Sequence, residues 1–459
     1  MLFSLLPCVT LLLANSGAAF AQTATVDAAI SRGTPANLAS GWIYGIPDQQ
    51  GQIADHFYTD VGYRYGRAGG AQLVNPGERG WIWGVNEYKS RFQSALSNYQ
   101  TSRKYGARFQ LLLHDLWGAD GTQNSSAPYP GDNGNWAFYD AFLTQVIADI
   151  KSNSMEAGLD IDLWNEPEGI YWTNRGVSQW VNMWGRGFHR LRDALGPAVL
   201  LVGPSLALPP ATGNSWWNGF LGFIGANNSI PDQYTWHLEC GSGCDLQMSN
   251  STLKSMLSSH GLPDRPNNVN EYGTGSEQVP SSDAWYISRF ERYDTLGLRG
   301  NWGSTTALHD FLAGLVGKPN AGTSSYSATA GGYWPTGEFQ VYKYYHLNQT
   351  GIRLGTTGSA DGAFDVYATK TGSVVRILCG SRAKTGTWDI TVTNLASLGL
   401  PSSGSITITT YEFPWTSQFG EVDSPVNLGQ VTHTYTGNSV TWWVNFSSRN
   451  TAYAFEFAY

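Results

Sequence analysis

Between about residue 40 and residue 349, short apolar runs alternate with amphipathic stretches. The runs at 41–46, 62–65, 108–114, 160–164, 199–203, 233–237, 268–270 and 298–302 read as eight β-strands. The stretches between them carry apolar residues at helical spacing, as at 179–195, where Trp180, Trp184, Phe188, Leu191 and Leu195 recur on one face. Only the first link reads as a loop more than a helix. Strands alternating with helices imply a parallel sheet, and eight such units close into a (β/α)8 barrel with its reactive side chains at the C-terminal strand ends.

After Gly351 the pattern changes to short alternating stretches at 363–369, 373–379, 388–394, 405–411, 431–435, 440–446 and 452–457, parted by Gly, Ser, Asn and Pro. Seven strands at this spacing predict an antiparallel β-sandwich. The expected division is a leader at 1–21, a barrel at 22–350 and a sandwich at 351–459, with 23–26 able to add a strand to the sandwich. No long linker separates the two domains, which favours a packed structural domain over a free carbohydrate-binding module.

The leader is expected from the apolar run Leu2 to Leu13 and the small-residue site Ala19-Phe20-Ala21, which predict cleavage before Gln22 and an extracellular, secreted product. That run is too short to span a membrane, and no later segment is apolar for long enough. Secretion makes a Cys240–Cys244 disulfide the expected pairing, with Cys379 left single. A metal site is the rival reading of that pair, but it would need two more Cys or His ligands at suitable positions, and none are obvious in the sequence; neither metal nor cofactor is expected. Asn124, Asn227, Asn250, Asn348 and Asn445 open N-x-S/T sequons, expected as glycosylated surface loops of a secreted eukaryotic protein. The net charge of −8, on a chain only 14% charged, leaves no basic face for nucleic acid or anionic lipid.

Two strand ends draw attention. Ile161-Asp162-Leu163-Trp164-Asn165-Glu166-Pro167 delivers a glutamate just before a proline, which should hold Glu166 extended. Asn270-Glu271-Tyr272-Gly273 delivers a second glutamate before a turn that glycine permits. Two carboxyl groups flanking one bond are what glycoside hydrolysis needs, one to protonate the leaving oxygen and one to attack or activate water. A lone strand-end glutamate is more often a salt bridge or helix cap, the reading preferred for Glu168. Arg67, His114, Asp115, His237 and Trp302 stand at other strand tips, where each alone is as readily a satisfied structural group as a substrate contact. With 19 Trp and 24 Tyr, most aromatic residues must fill the core, leaving a minority to stack on sugar rings.

Trp164-Asn165-Glu166-Pro167 on a fourth strand and Asn270-Glu271-Tyr272 on a seventh resemble the signature of glycoside hydrolase clan A. The Trp236-His237 pair and the trailing sandwich are most similar to family 39, which includes β-xylosidases and α-L-iduronidases and joins a (β/α)8 barrel to a β-sandwich. The resemblance implies Glu166 as acid/base and Glu271 as nucleophile. It also implies Asn165 at the sugar 2-OH, with Arg67, His114 and His237 lining the subsite. His114-Asp115-Leu116-Trp117 and Gly66-Arg67-Ala68-Gly69-Gly70 depart from the β-xylosidase pattern. The expected activity is therefore retaining hydrolysis of a cell-wall polysaccharide or derived oligosaccharide. The competing expectation is a barrel that binds glycan without cleaving it.

Overall fold

The computed structural model describes residues 22–459 except 71–76, 121, 122, 125, 173 and 305–307. The expected leader lies outside the described residues. Strand β1 (Gln22–Ser31) precedes a closed parallel barrel of β2 (Gly41–Ile43), β3 (Tyr65–Ala68), β4 (Arg108–Leu112), β5 (Leu159–Asp162), β6 (Leu200–Leu206), β7 (Gln233–Leu238), β8 (Asn267–Tyr272) and β9 (Thr295–Arg299). The barrel strands are buried almost throughout, so their apolar residues face core on both sides, as parallel sheets require. Helix Val177–Leu195 lays Trp180, Trp184, Phe188 and Leu191 into that core, which is the periodicity read from the sequence. No described helix is long and apolar enough to cross a membrane.

Several boundaries move, and they matter for function. Strand β3 starts at Tyr65, so Arg67 lies within the strand instead of after it. His114 falls in the short helix Leu113–Trp117 that follows β4, and Trp302 in a 3-10 turn three residues beyond β9. The first link contains a helix of one turn, His56–Thr59.

A short hairpin, β10 (Val316–Gly317) and β11 (Trp334–Pro335), leads to helix Gly337–Leu347. The second domain then follows as β12 (Ile352–Thr357), β13 (Phe364–Lys370), β14 (Val374–Ser381), β15 (Gly386–Thr393), β16 (Gly404–Phe413), β17 (Val426–Tyr435), β18 (Ser439–Phe446) and β19 (Ala452–Ala458). Strand β12 is additional to the seven expected. It turns the corner between two layers, pairing with β13 through Ile352 and Arg353 and with β1 through Leu354 to Thr357. Strand β1 inserts between β12 and β15 and runs parallel to β15, a break in the otherwise antiparallel order that arises because it enters from the far end of the chain.

Helix Pro280–Arg292 fixes one domain to the other. Arg292 binds Asp365 (Nη1 to Oδ2, 2.8 Å), Ser281 and Ser381 share a hydroxyl contact of 3.0 Å, and Arg382 donates to Glu277 at 2.6 Å. A β-carbon at Gly380 would stand 2.0 Å from the Ser281 carbonyl, so only glycine allows this approach.

Candidate active site

Three backbone irregularities at the C-terminal face aim the functional side chains. The β7–β8 register shifts between Trp236 and His237 and brings His237 level with Glu271, and β6 shifts between Pro204 and Leu206. Bulges of this kind re-aim side chains near active sites. The third is Glu166, which adopts φ +41° and is not extended. Pro167 bars the right-handed helical well, and two bonds hold the residue in the left-handed one: its N–H donates to the Ser205 carbonyl and its own carbonyl accepts from Gly169 N, both at 3.0 Å. Such strain costs about 1–3 kcal/mol and persists where neighbours over-determine it.

Arg67 is wholly buried and ties the floor together. Its Nε and Nη2 donate to Asp162 Oδ2 at 3.1 and 2.8 Å, its Nη1 to Glu271 Oε1 at 2.5 Å and its Nη2 to Asn165 Oδ1 at 2.5 Å. Asp162 Oδ2 also accepts from Ser205 Oγ at 2.7 Å and Asn270 Nδ2 at 3.0 Å, so one carboxylate anchors groups from β3, β6 and β8. Above this floor His237 Nδ1 lies 2.8 Å from Glu166 Oε1 and 3.5 Å from Glu271 Oε2. One carboxylate oxygen each of Glu166 and Glu271 and a His237 ring nitrogen all fall within 4.8 Å of one another.

The charges decide what this trio can do. Burial alone drives His237 toward neutrality, but Glu271 and the hydrogen-bonded Glu166 outweigh it and raise its pKa to about 9. A cationic His237 beside Arg67 is a poor setting for a metal ion, whose imidazole ligands must be neutral. Burial raises Glu166 too, yet the His237 bond and charge prevail and hold it below the usual value. For Glu271, burial wins over His237 and Arg67 and the carboxyl is raised. His237 Nε2 is buried without a partner, a donor left for a ligand.

The remaining expected residues sit around this centre. Asn165 is buried and held by Arg67. His114 is kept neutral chiefly by burial, contacts Asp115 at 3.1 Å and meets the Tyr171 ring edge-on at 5.4 Å. Trp302 donates its indole N–H to Glu239. Glu239 is a third carboxyl, raised to about 8 by burial and then by the charge of Glu271. Sequence reasoning missed Glu239 and Asp162. Their only signal was position, one residue past β7 for Glu239 and the inward-facing parity of β5 for Asp162. Among the described residues Glu168 makes no salt bridge; its Oε1 accepts from Leu208 N at 3.1 Å.

No family model matches the chain, and no curated protein matches it. Solved structures do. N2152 from Neocallimastix frontalis superposes with a TM-score of 0.72 at 19% identity, over 95% of this chain and 99% of that one. The chain has the fold of that protein. A glucosidase from Croceicoccus marinus gives 0.60 at 12% identity over 96% and 99%, and the GH39 enzyme from Xanthomonas axonopodis pv. citri gives 0.57 at 13% over 95% and 97%.

The Cys240–Cys244 disulfide forms, with Cα atoms 5.7 Å apart, immediately after Glu239, and Cys379 is free and buried. The sequons divide by exposure. Asn124, Asn348 and Asn445 are exposed, and Asn227 is partly buried. Asn250 is buried within helix Leu246–Ser259, its amide donating to Thr295 Oγ1 at 3.1 Å, which removes it from the expected surface loops.

Proposed function

We propose that the chain is a secreted, retaining glycoside hydrolase acting on a cell-wall polysaccharide or an oligosaccharide derived from it. The observation that carries this reading is the approach of one carboxylate oxygen of Glu166 to one of Glu271, within 4.8 Å, at the mouth of the barrel. Retaining enzymes hold their two carboxyl groups about 5–5.5 Å apart and inverting ones about 6.5–9.5 Å, because only the latter must admit a water between them. The shared fold of the glucosidase and the GH39 enzyme supports the general class. The apolar leader supports secretion, and in this reading β2 to β11 belong to the catalytic portion, while residues 351–459 form the sandwich portion together with β1.

Glu271 attacks the anomeric carbon, with Arg67 holding its carboxylate in place. Glu166 protonates the leaving oxygen. In the unliganded site the proton for that step rests on His237, 2.8 Å from Glu166. A bound sugar expels water from around this ion pair, and the drier medium favours its neutral form, so the proton moves from Nδ1 to Oε1 and arms Glu166. After the leaving group departs, Glu166 takes a proton from water, which attacks the glycosyl–Glu271 ester from the same face. Two inversions give retention. Proton NMR of the first product from an aryl glycoside tests this: the substrate anomer should appear before mutarotation, and an inverted first product refutes the mechanism. Absence of turnover on a panel of polysaccharides and aryl glycosides would favour a binding protein instead.

A further inference from the structure

Where the loops after β8 and β9 meet the sandwich lies a cavity of about 490 Å³. That volume is within the range of small-ligand sites. The barrel supplies Ser276 and Trp302 to its walls, and the sandwich supplies Trp415 and Gln418 from the segment after β16 and Arg449 and Asn450 from the turn between β18 and β19. The two walls are pinned to each other: Gln418 Nε2 donates to the Gly303 carbonyl and Arg449 Nη2 to the Ser276 carbonyl at 3.0 Å. Trp302 links the cavity to the candidate site, since its indole N–H reaches Glu239, whose carboxyl is raised by burial and by the neighbouring Glu271. Across the cavity, Trp415 Nε1 is shielded from solvent and has no hydrogen-bond partner.

We propose that this cavity is a glycan subsite, remote from the scissile bond, in which Trp415 of the sandwich binds a neutral sugar unit of the same substrate chain. This rests on the glycosidase reading. An indole supplies a flat apolar face for a sugar ring. The side-chain amides of Gln418 and Asn450 suit hydroxyls. The lining also includes the Glu338 carboxyl, and Arg449 already donates to Ser276, so an anionic sugar has no dedicated partner. The sandwich would thus form part of the cleft and read the length of the chain beyond the bond that is cut.

The test uses the full chain. Affinities for cello- and xylo-oligosaccharides of two to six units are measured by calorimetry in the Glu271→Gln background, alone and with Trp415→Ala or Trp415→Phe, and kcat/KM is measured over the same ladders with Glu271 restored. Lengthening the ligand to the unit that reaches the cavity should raise affinity. Trp415→Ala should remove that gain, a loss of tenfold or more that grows with chain length, and Trp415→Phe should keep part of it. Ser276→Phe, which fills the cavity from the barrel side, provides the same reading should Trp415→Ala fail to fold. A loss equal at every length, unchanged binding by these variants, or no binding of any oligomer overturns the inference. Trp415-dependent binding without turnover in the parent would refute the hydrolase reading and leave the subsite standing; turnover with Trp415-independent binding would do the reverse.

Discussion

Replacing Arg67 by Met keeps the length of the side chain and removes its charge. Two buried carboxylates, Asp162 and Glu271, then lose the cation that binds both, and Asn165 loses its donor. Breaking a buried ion pair from one side costs about 3–5 kcal/mol, a large part of a typical stability of about 5–15 kcal/mol. The catalytic cost follows from the contact with Glu271, whose closest approach to Arg67 is 2.5 Å. Unit charges about 4 Å apart at an effective dielectric of about 20 interact by about 4 kcal/mol, roughly three pKa units for Glu271. A carboxyl already raised by burial would move further from its ionised, nucleophilic form, and kcat/KM at neutral pH should fall about 100- to 1,000-fold. The fall should be smaller at alkaline pH, where Glu271 ionises again. Urea unfolding followed by tryptophan fluorescence and pH–rate profiles read both effects. Arg67→Lys should recover part of the activity, because one ammonium cannot bind both carboxylates as the guanidinium fork does. Wild-type urea midpoint together with more than half the wild-type kcat/KM in Arg67→Met would refute this reasoning.

Glu271→Gln should fold and bind but turn over no substrate, whereas Glu166→Ala should retain activity on aryl glycosides with good leaving groups and be partly rescued by azide; identical profiles for the two variants would contradict the division of roles. His237 titrates near 9 when folded, above its usual value of 6.5, so its contribution to stability is complete below about pH 6.5 and is lost as pH rises through 9. His237→Asn should therefore flatten the decline in stability between those values, as measured by melting temperature against pH. The disulfide spans a sequence separation of 4, and the chain-entropy model gives so short a loop about 2 kcal/mol. Cys240→Ser with Cys244→Ser should cost no more than that in urea unfolding, and mass spectrometry without reductant should find the parent with that bridge and a free Cys379.

The parts of this molecule that were legible beforehand are those written in periodicity and local chemistry. Eight buried runs gave the barrel strands, and Gly273 took the left-handed φ of +83° expected of the turn after Glu271. The illegible parts depend on partners distant in the chain. Strand β12 is partly exposed along much of its length and gains its identity by pairing with β1 and β13. Glu166 is left-handed because Ser205, 39 residues on, binds its amide, which a rule about the next residue could not register. Asp162 and Glu239 resemble any other acidic residue until the barrel closes and removes their water. Asn250 satisfied a sequon by spelling alone, while its helix turned it inward.

The position of β1 has a consequence for how the protein can be cut and made. Because Thr25 pairs with Thr357 and Val26 with Val392, the second domain is discontinuous, and everything from β2 to β11 is an insertion between its first strand and its remainder. A fragment starting at residue 351 would expose two unsatisfied inner edges, on β12 and β15, and such edges invite aggregation. During synthesis β1 emerges first and waits for more than three hundred residues before its partners exist, a long-range pairing of the kind that makes folding slow. The sandwich sheet can close only when β12 and β15 reach β1, after β2 to β11 have been made.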